Sequence, residues 1–203
     1  MVVKLHILRK YVAEYLNWIM NMNSFLRSKL SGVKVGEIVI GQLEALIVGA
    51  VDWIPTIVGM LIRNVVYRLL GMKVSGFCWI QPRVMIVHMR RLRVGKNFGC
   101  NSGTYINAIG GICMGDDVLI GSNVTISSGK HEIEGRLRSV FSRPTLPMRM
   151  IFGSDIWIGA GASVLPGVDL ADGTVIGANA VVTKNTTPYA VMIGIPARPS
   201  RLR

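Results

Sequence analysis

Histidine is scarce in this 203-residue chain, limited to His6, His88 and His131. Only His131 stands where a regular repeat stops and a long irregular stretch begins. An imidazole titrates near neutral pH and can take a proton from a hydroxyl, so His131 is the candidate general base. The same position would also suit a loop histidine exposed to water. No Ser or Asp stands at a spacing that suggests a nucleophilic triad with it. A zinc site needs about three ligands, and the histidines are far apart in sequence. Cys78, Cys100 and Cys113 fit no zinc or redox spacing, and their odd number makes a reducing compartment the default. Cys100 falls on a repeat position, so a core thiol is expected there rather than a nucleophile.

The element that must position His131 is read from residues 152–183. Phe152, Ile158, Val164, Leu170, Ile176 and Val182 stand six residues apart without a slip. With 50% of the chain hydrophobic, those hits alone would decide little. The other positions of the hexad decide it. Gly153, Gly159 and Gly177 follow three of the leading residues, and Ala171 follows a fourth. Ile156, Ala162, Val168, Thr174 and Ala180 fill the fifth position, all small or β-branched. A short fixed period marks a solenoid. Each hexad fits one short strand plus a turn, and three hexads close one triangular coil. Coils then stack ~4.8 Å apart, with the leading aliphatic residues inside.

An earlier block keeps the same step at Val94, Cys100 and Ile106. Two extra residues enter at Ile112–Cys113, read as a corner bulge, and Met114, Ile120 and Ile126 resume. The period ends at His131. Residues 132–151 carry Glu132, Glu134, Arg136, Arg138, Arg143 and Arg149 and read as a functional excursion. The expected organisation is a helical segment over 1–73, a solenoid over 74–187 with the loop 132–151, and a basic tail over 188–203.

Residues 1–37 have apolar positions at three- and four-residue steps and suit an amphipathic helix, packed on its own protein or lying on a membrane. Residues 38–62 are the most apolar part, but Glu44, Asp52 and Pro55 interrupt them. Basic residues flank both ends, which favours an in-plane helix or re-entrant hairpin over a single crossing. A hydrophobic oligomer contact is the alternative. Met1 to Lys10 is mixed and basic, so no signal peptide is expected. The net charge of +12 asks for an anionic partner: nucleic acid, a membrane surface or a phosphate-bearing ligand. No recognition motif supports nucleic acid.

The hexads, the run MGDDVLIGSNVTISSGKH from Met114 to His131, SDIWIGAGASVLPGV at 154–168 and VVTKNTTPYAVMIGIPARPSR at 181–201 resemble the hexapeptide-repeat acyltransferases. The nearest branch is that of the galactoside and maltose acetyltransferases. The apolar N-terminus resembles the sugar O-acetyltransferases that decorate surface polysaccharides. The resemblance covers roughly residues 74–201. It implies a mainly β fold, a left-handed parallel β-helix, a homotrimer with sites at subunit interfaces, and acetyl-CoA as donor without a metal. It also implies roles. His131 falls on the catalytic base and Asn101 on an asparagine near the acceptor. Trp157 falls on a tryptophan lining the site. Ala160 and Ala178 fall on turns whose backbone meets the pantetheine arm. Thr183, Lys184, Arg198 and Arg201 fall near the nucleotide and its phosphates.

Two departures bear on the acceptor. The acceptor-binding N-terminal segment of the soluble enzymes is replaced by apolar sequence, and the loop after His131 is basic. Both suit a lipid-linked, diphosphate-bearing sugar at the cytoplasmic face of the inner membrane. Arg90, Arg91 and Arg93 could serve the same anion or be an exposed edge. The rival readings are a drug-inactivating acetyltransferase and a non-catalytic scaffold on the same coil. Discounting the inserted pair, Asn101 and His131 are 28 positions apart, about one and a half coils of three hexads. They are therefore expected on different edges, meeting only across a subunit boundary.

Overall fold

A computed structural model describes Glu14, residues 35–136 and residues 139–203. The amphipathic helix expected over 1–37 lies almost wholly outside the described residues. From Lys73 onward the chain winds as a triangular prism. Its first coil is Lys73–Val74 (β1), Cys78–Ile80 (β2) and Met85–Val87 (β3). The second is Leu92–Val94 (β4), Phe98–Cys100 (β5) and Tyr105–Asn107 (β6). The third is Ile112–Met114 (β7), Val118–Ile120 (β8) and Thr125–Ser127 (β9). A hairpin of Gly129–His131 (β10) and Thr145–Pro147 (β11) then leaves the prism. Winding resumes with Met150–Phe152 (β12), Ile156–Ile158 (β13) and Ser163–Val164 (β14). It continues through Val175–Ile176 (β15) and Val181–Val182 (β16). Ala190–Gly194 (β17) and Ala197–Leu202 (β18) end the chain.

Successive coils pair in parallel to give three faces. Face A is β1-β4-β7-β12, face B runs from β2 through β5, β8, β13 and β15 to β17, and face C is β3-β6-β9-β14-β16. β18 turns back antiparallel on β17 and closes face B. This is the mainly β, hexapeptide-repeat solenoid expected. The leading hexad residues from Val94 to Val182 are all buried, as are Ile156, Ala162, Val168, Thr174 and Ala180. Strands of faces A and B bury their first and third residues, whereas β3 and β9 bury the middle one. Period-2 side-chain alternation on three-residue strands requires this. Glycine is needed where coils turn on top of one another. A Cβ on Gly121 would stand 2.6 Å from the Ala160 nitrogen, and one on Gly159 2.6 Å from that of Ala178.

The uniform coil of three hexads needs correction. Leu92 pairs with Ile112, and Cys78 with Phe98, so each of the first coils is longer than three hexads by an inserted pair. The bare three-hexad step holds from Phe152 to Leu170 and from Trp157 to Val175. The extra pair therefore recurs, and in the second coil it lies at 108–111, not at Ile112–Cys113. Ile112 and Met114 are the two inward ends of β7. The inserted residues widen the corner between faces C and A and fill it with buried Met89 and Ala108.

Before the prism come two helices, Val35–Asp52 (α1) and Thr56–Leu69 (α2), broken at Pro55. Among the described residues no helix is long and apolar enough to cross a membrane. α2 is inverted. Its buried face carries Gly59, Met60, Arg63, Asn64 and Tyr67, while Ile57, Val58, Leu61, Val65 and Leu69 stay exposed. The buried polar groups tie the helix to backbone carbonyls of the helix break and of β2. Arg63 Nε donates to Ile80 O at 3.0 Å, and its Nη1 donates to Val51, Asp52 and Ile54 carbonyls. Asn64 Nδ2 donates to Cys78 O at 3.2 Å.

Candidate active site

His131 ends β10, opposite Thr145 of β11, and its side chain is exposed. The hairpin leaves from the corner between faces C and A. Its foot is held tightly. Gly129 N donates to Ser127 Oγ at 3.2 Å, and Met148 N donates to Ser128 O at 2.7 Å. A Cβ on Gly129 would meet Ile109 at 2.7 Å, so only glycine lets β10 lie this close to the coil. Arg143 is buried and donates to the carbonyls of Glu134 and Gly135, folding the excursion around itself. That arginine holds loop structure, whereas Lys130, Arg136 and Arg149 face solvent. Among the described residues nothing hydrogen-bonds the imidazole, so neither Glu132 nor Glu134 orients it within one chain.

Asn101 stands at the corner between faces B and C, where its Nδ2 donates to Ile120 O at 3.1 Å. Ala160 and Ala178 lie on the same corner two and three coils higher, both exposed. Thr183 and Lys184 follow β16 at the corner between C and A, on the His131 side. Arg198 and Arg201 project from β18, at the closed end of face B, each within reach of a neighbouring carbonyl. The candidate residues thus fall into separate sets on one protomer: Asn101, Ala160 and Ala178 on one corner, His131, Thr183 and Lys184 on another. Face C separates them.

Trp157 is the outward middle residue of β13 and is 53% exposed. It is not alone. In register along face B stand Trp79, Gly99, Leu119, Trp157 and Val175. Trp79 and Leu119 are exposed like Trp157, and Phe77 packs edge-on against Trp79 at 5.0 Å. The sequence motif singles out Trp157 but not this column. A signal for the column is nonetheless present: Trp79, Leu119 and Trp157 each precede an inward isoleucine by one position, so all must point outward.

Two of the three cysteines are core residues. Cys78 and Cys100 are buried, and burial pushes their thiols up to about 11 and about 12. Among the described residues no three His, Cys, Asp or Glu side chains converge on a metal position.

The bacterial transferase hexapeptide (six repeats) family model matches residues 150–184. An acetyltransferase-type protein of Saccharomyces cerevisiae is 30% identical over 137 residues, which is 66% of this chain and 67% of that protein. The chain belongs to the hexapeptide-repeat transferases. Within that family it is 34% identical to galactoside O-acetyltransferase of Escherichia coli K12 over 120 residues, 59% of this chain. The match spans 58% of that relative's length. A solved galactoside acetyltransferase in complex with coenzyme A superposes with a TM-score of 0.74 at 26% identity, covering 84% of each chain. The hexapeptide-repeat scaffold explains why the candidate residues sit at corners. Every inward position is spent on the core, so chemistry is left to turns, outward strand positions and the hairpin that carries His131.

Proposed function

We propose that this transferase moves an acetyl group from acetyl-CoA to a sugar hydroxyl of a surface polysaccharide or its lipid-linked precursor, with His131 as general base. The observation that carries the reading is the exposed imidazole at the end of β10, on a hairpin whose foot is hydrogen-bonded to the coil, on a scaffold whose solved relative holds coenzyme A. The residues suit the donor. Exposed Ala160 and Ala178 leave the turn backbone open to a narrow pantetheine arm. Lys184, Arg198 and Arg201 are exposed cations toward the last coils, suited to the nucleotide phosphates. When bound, acetyl-CoA supplies an acyl thioester as the electrophile. His131 takes the proton of the attacking hydroxyl as the new C–O bond forms, and returns it to the sulfur as the C–S bond breaks. Asn101 offers an amide toward the oxyanion.

The site needs residues of two corners, and a homotrimer would bring the Asn101 corner of one subunit to the His131 corner of the next. The exposed column Trp79, Leu119 and Trp157 supports a self-contact or a site wall on face B. Exposed aliphatic residues on α1 and α2, with Arg68 and Lys73 beside them, support a peripheral position on the cytoplasmic face of the membrane.

The deciding experiment is His131→Ala. Transfer from acetyl-CoA is expected to fall by about 10²–10⁴-fold, with coenzyme A affinity and thermal midpoint unchanged, because the side chain is exposed. Unchanged turnover would remove the base assignment.

A further inference from the structure

A groove of about 740 Å³ runs between α1 and the first coil, and no residue of His131's hairpin lines it. Its volume is that of a small-molecule pocket. Met85 and Val87, the outward residues of β3, form the floor, and Ala45 and Val48 the roof. Gly41, Ala45 and Gly49 recur every four residues on α1, and nothing lies within 4 Å of a Cβ built on either glycine. The roof is held off the floor, not packed onto it.

The rim is basic. Arg83 stands at one end, and His88, Arg90 and Arg91 at the other. The two acids at the groove are already engaged. Glu44 pairs with Arg90 at 3.0 Å, and Asp52 accepts from the Arg83 backbone nitrogen at 2.9 Å. That second bond holds Arg83 at φ +61, a left-handed conformation unusual for a long side chain. Its guanidinium has no partner among the described residues.

The groove also points at the candidate base. His88 Nδ1 is 3.1 Å from Asn107 Oδ1. Val87, Asn107 and Ser127 are register partners, and β10 begins two residues after Ser127. Two coil steps, about 10 Å, therefore separate the basic end from the corner where the His131 hairpin leaves. On its outer side α1 exposes Leu43, Leu46 and Ile47.

We propose that this groove holds the lipid phosphate portion of the acceptor: an alkyl or prenyl chain between α1 and β3, with its phosphate at the Arg90–Arg91 end, on the guanidinium N–H groups not taken by Glu44 and the Ile109 carbonyl. This rests on the lipid-linked reading of the acceptor and adds its binding site. Charge selects this occupant over the chain's own N-terminus. Residues 1–34 carry Lys4, Arg9, Lys10, Arg27, Lys29 and Lys34 against Glu14, the same sign as the rim.

The test titrates the full chain in mild detergent with farnesyl phosphate, farnesol and inorganic phosphate, and separately with coenzyme A. Farnesyl phosphate is expected to bind, with farnesol at least about tenfold weaker and inorganic phosphate unable to compete. Ala45→Trp fills the roof and Arg91→Gln removes one of the two guanidinium groups at the phosphate end, so each should weaken farnesyl phosphate at least about tenfold. Met85→Trp is the second filling variant should Ala45→Trp lower the thermal midpoint. Equal binding by well-folded filling variants, equal affinity for farnesol, competition by inorganic phosphate alone, or displacement by a peptide of residues 1–34 would each overturn the proposal. Loss of coenzyme A binding in the wild type would instead strike the parent reading, which this titration reads independently.

Discussion

Asn101 and His131 stand about one and a half coils apart on one prism. Asn101 leaves face B one coil below Ile120, to whose carbonyl it donates, and His131 leaves beyond face C of Ile120's own coil. The width of face C keeps the two side chains on separate corners. The separation in coils is the one expected from the repeat, although each local coil carries a pair of residues beyond its three hexads.

If the site forms across subunits, Asn101→Ala and His131→Ala proteins are each inactive alone but complement when mixed. In a cyclic trimer assembled at random from equal amounts, about a quarter of the sites pair an intact Asn101 with an intact His131. Co-refolded mixtures should therefore regain about a quarter of wild-type acetyl transfer. No recovery in trimers shown to be mixed would place both residues in one subunit's site.

Arg63→Met should loosen the helices without melting the prism. The arginine is fully buried and donates to carbonyls of Ile80, Val51, Asp52 and Ile54. Methionine keeps much of the volume but donates to none of those acceptors, at a cost of about 2–4 kcal/mol. Limited proteolysis should cut near Trp53–Pro55 in the variant, with the strands still protected from hydrogen exchange. Unchanged protease resistance would mean that apolar packing alone holds α2.

Thiol titration tests the burial of face B. At pH 8 a disulfide reagent is expected to modify Cys113 readily, and Cys78 and Cys100 only after urea. Burial holds those two thiols neutral, up from the ordinary 9.0 to about 11 and about 12. The unfolded chain loses these protons first. Their contribution to stability is therefore intact below pH 9 and declines as pH rises toward 11 and 12. Rapid modification of all three native thiols would contradict the packing.

Vesicle flotation separates the readings of α2's outer face. The wild type should float with vesicles containing anionic lipid, less so at high salt. Leu61→Glu with Val65→Glu should weaken partition by on the order of tenfold or more. Both positions are half exposed or more, so the thermal midpoint should not move. A wild type that ignores vesicles, yet changes oligomeric state in the double variant, would assign the face to another copy.

The six-residue period identifies the leading inward residues from Val94 to Val182, because in a solenoid the inside is a local property of the repeat, but it misreads inward Ile112 as part of a bulge. It also isolates His131, since a broken period is visible without knowing where the chain goes next. The apolar interruption at Pro55 is legible for the same reason. What the period cannot carry is position around the prism. Corner assignments depend on every insertion before them, and the pairs at 88–91 and 108–111 shift all later residues by two each. The inverted face of α2 is hidden as well, because Arg63 and Asn64 are buried against carbonyls of β2, a contact made only once the prism has begun to wind. In the sequence Arg143 is one more cation of a basic loop; in the fold it is that loop's internal anchor. The sequence by itself determined a rod with a lined interior and one histidine at a break. Only the tertiary structure decided which corner that histidine occupies, what shares it and where a basic groove opens, because those depend on contacts between coils.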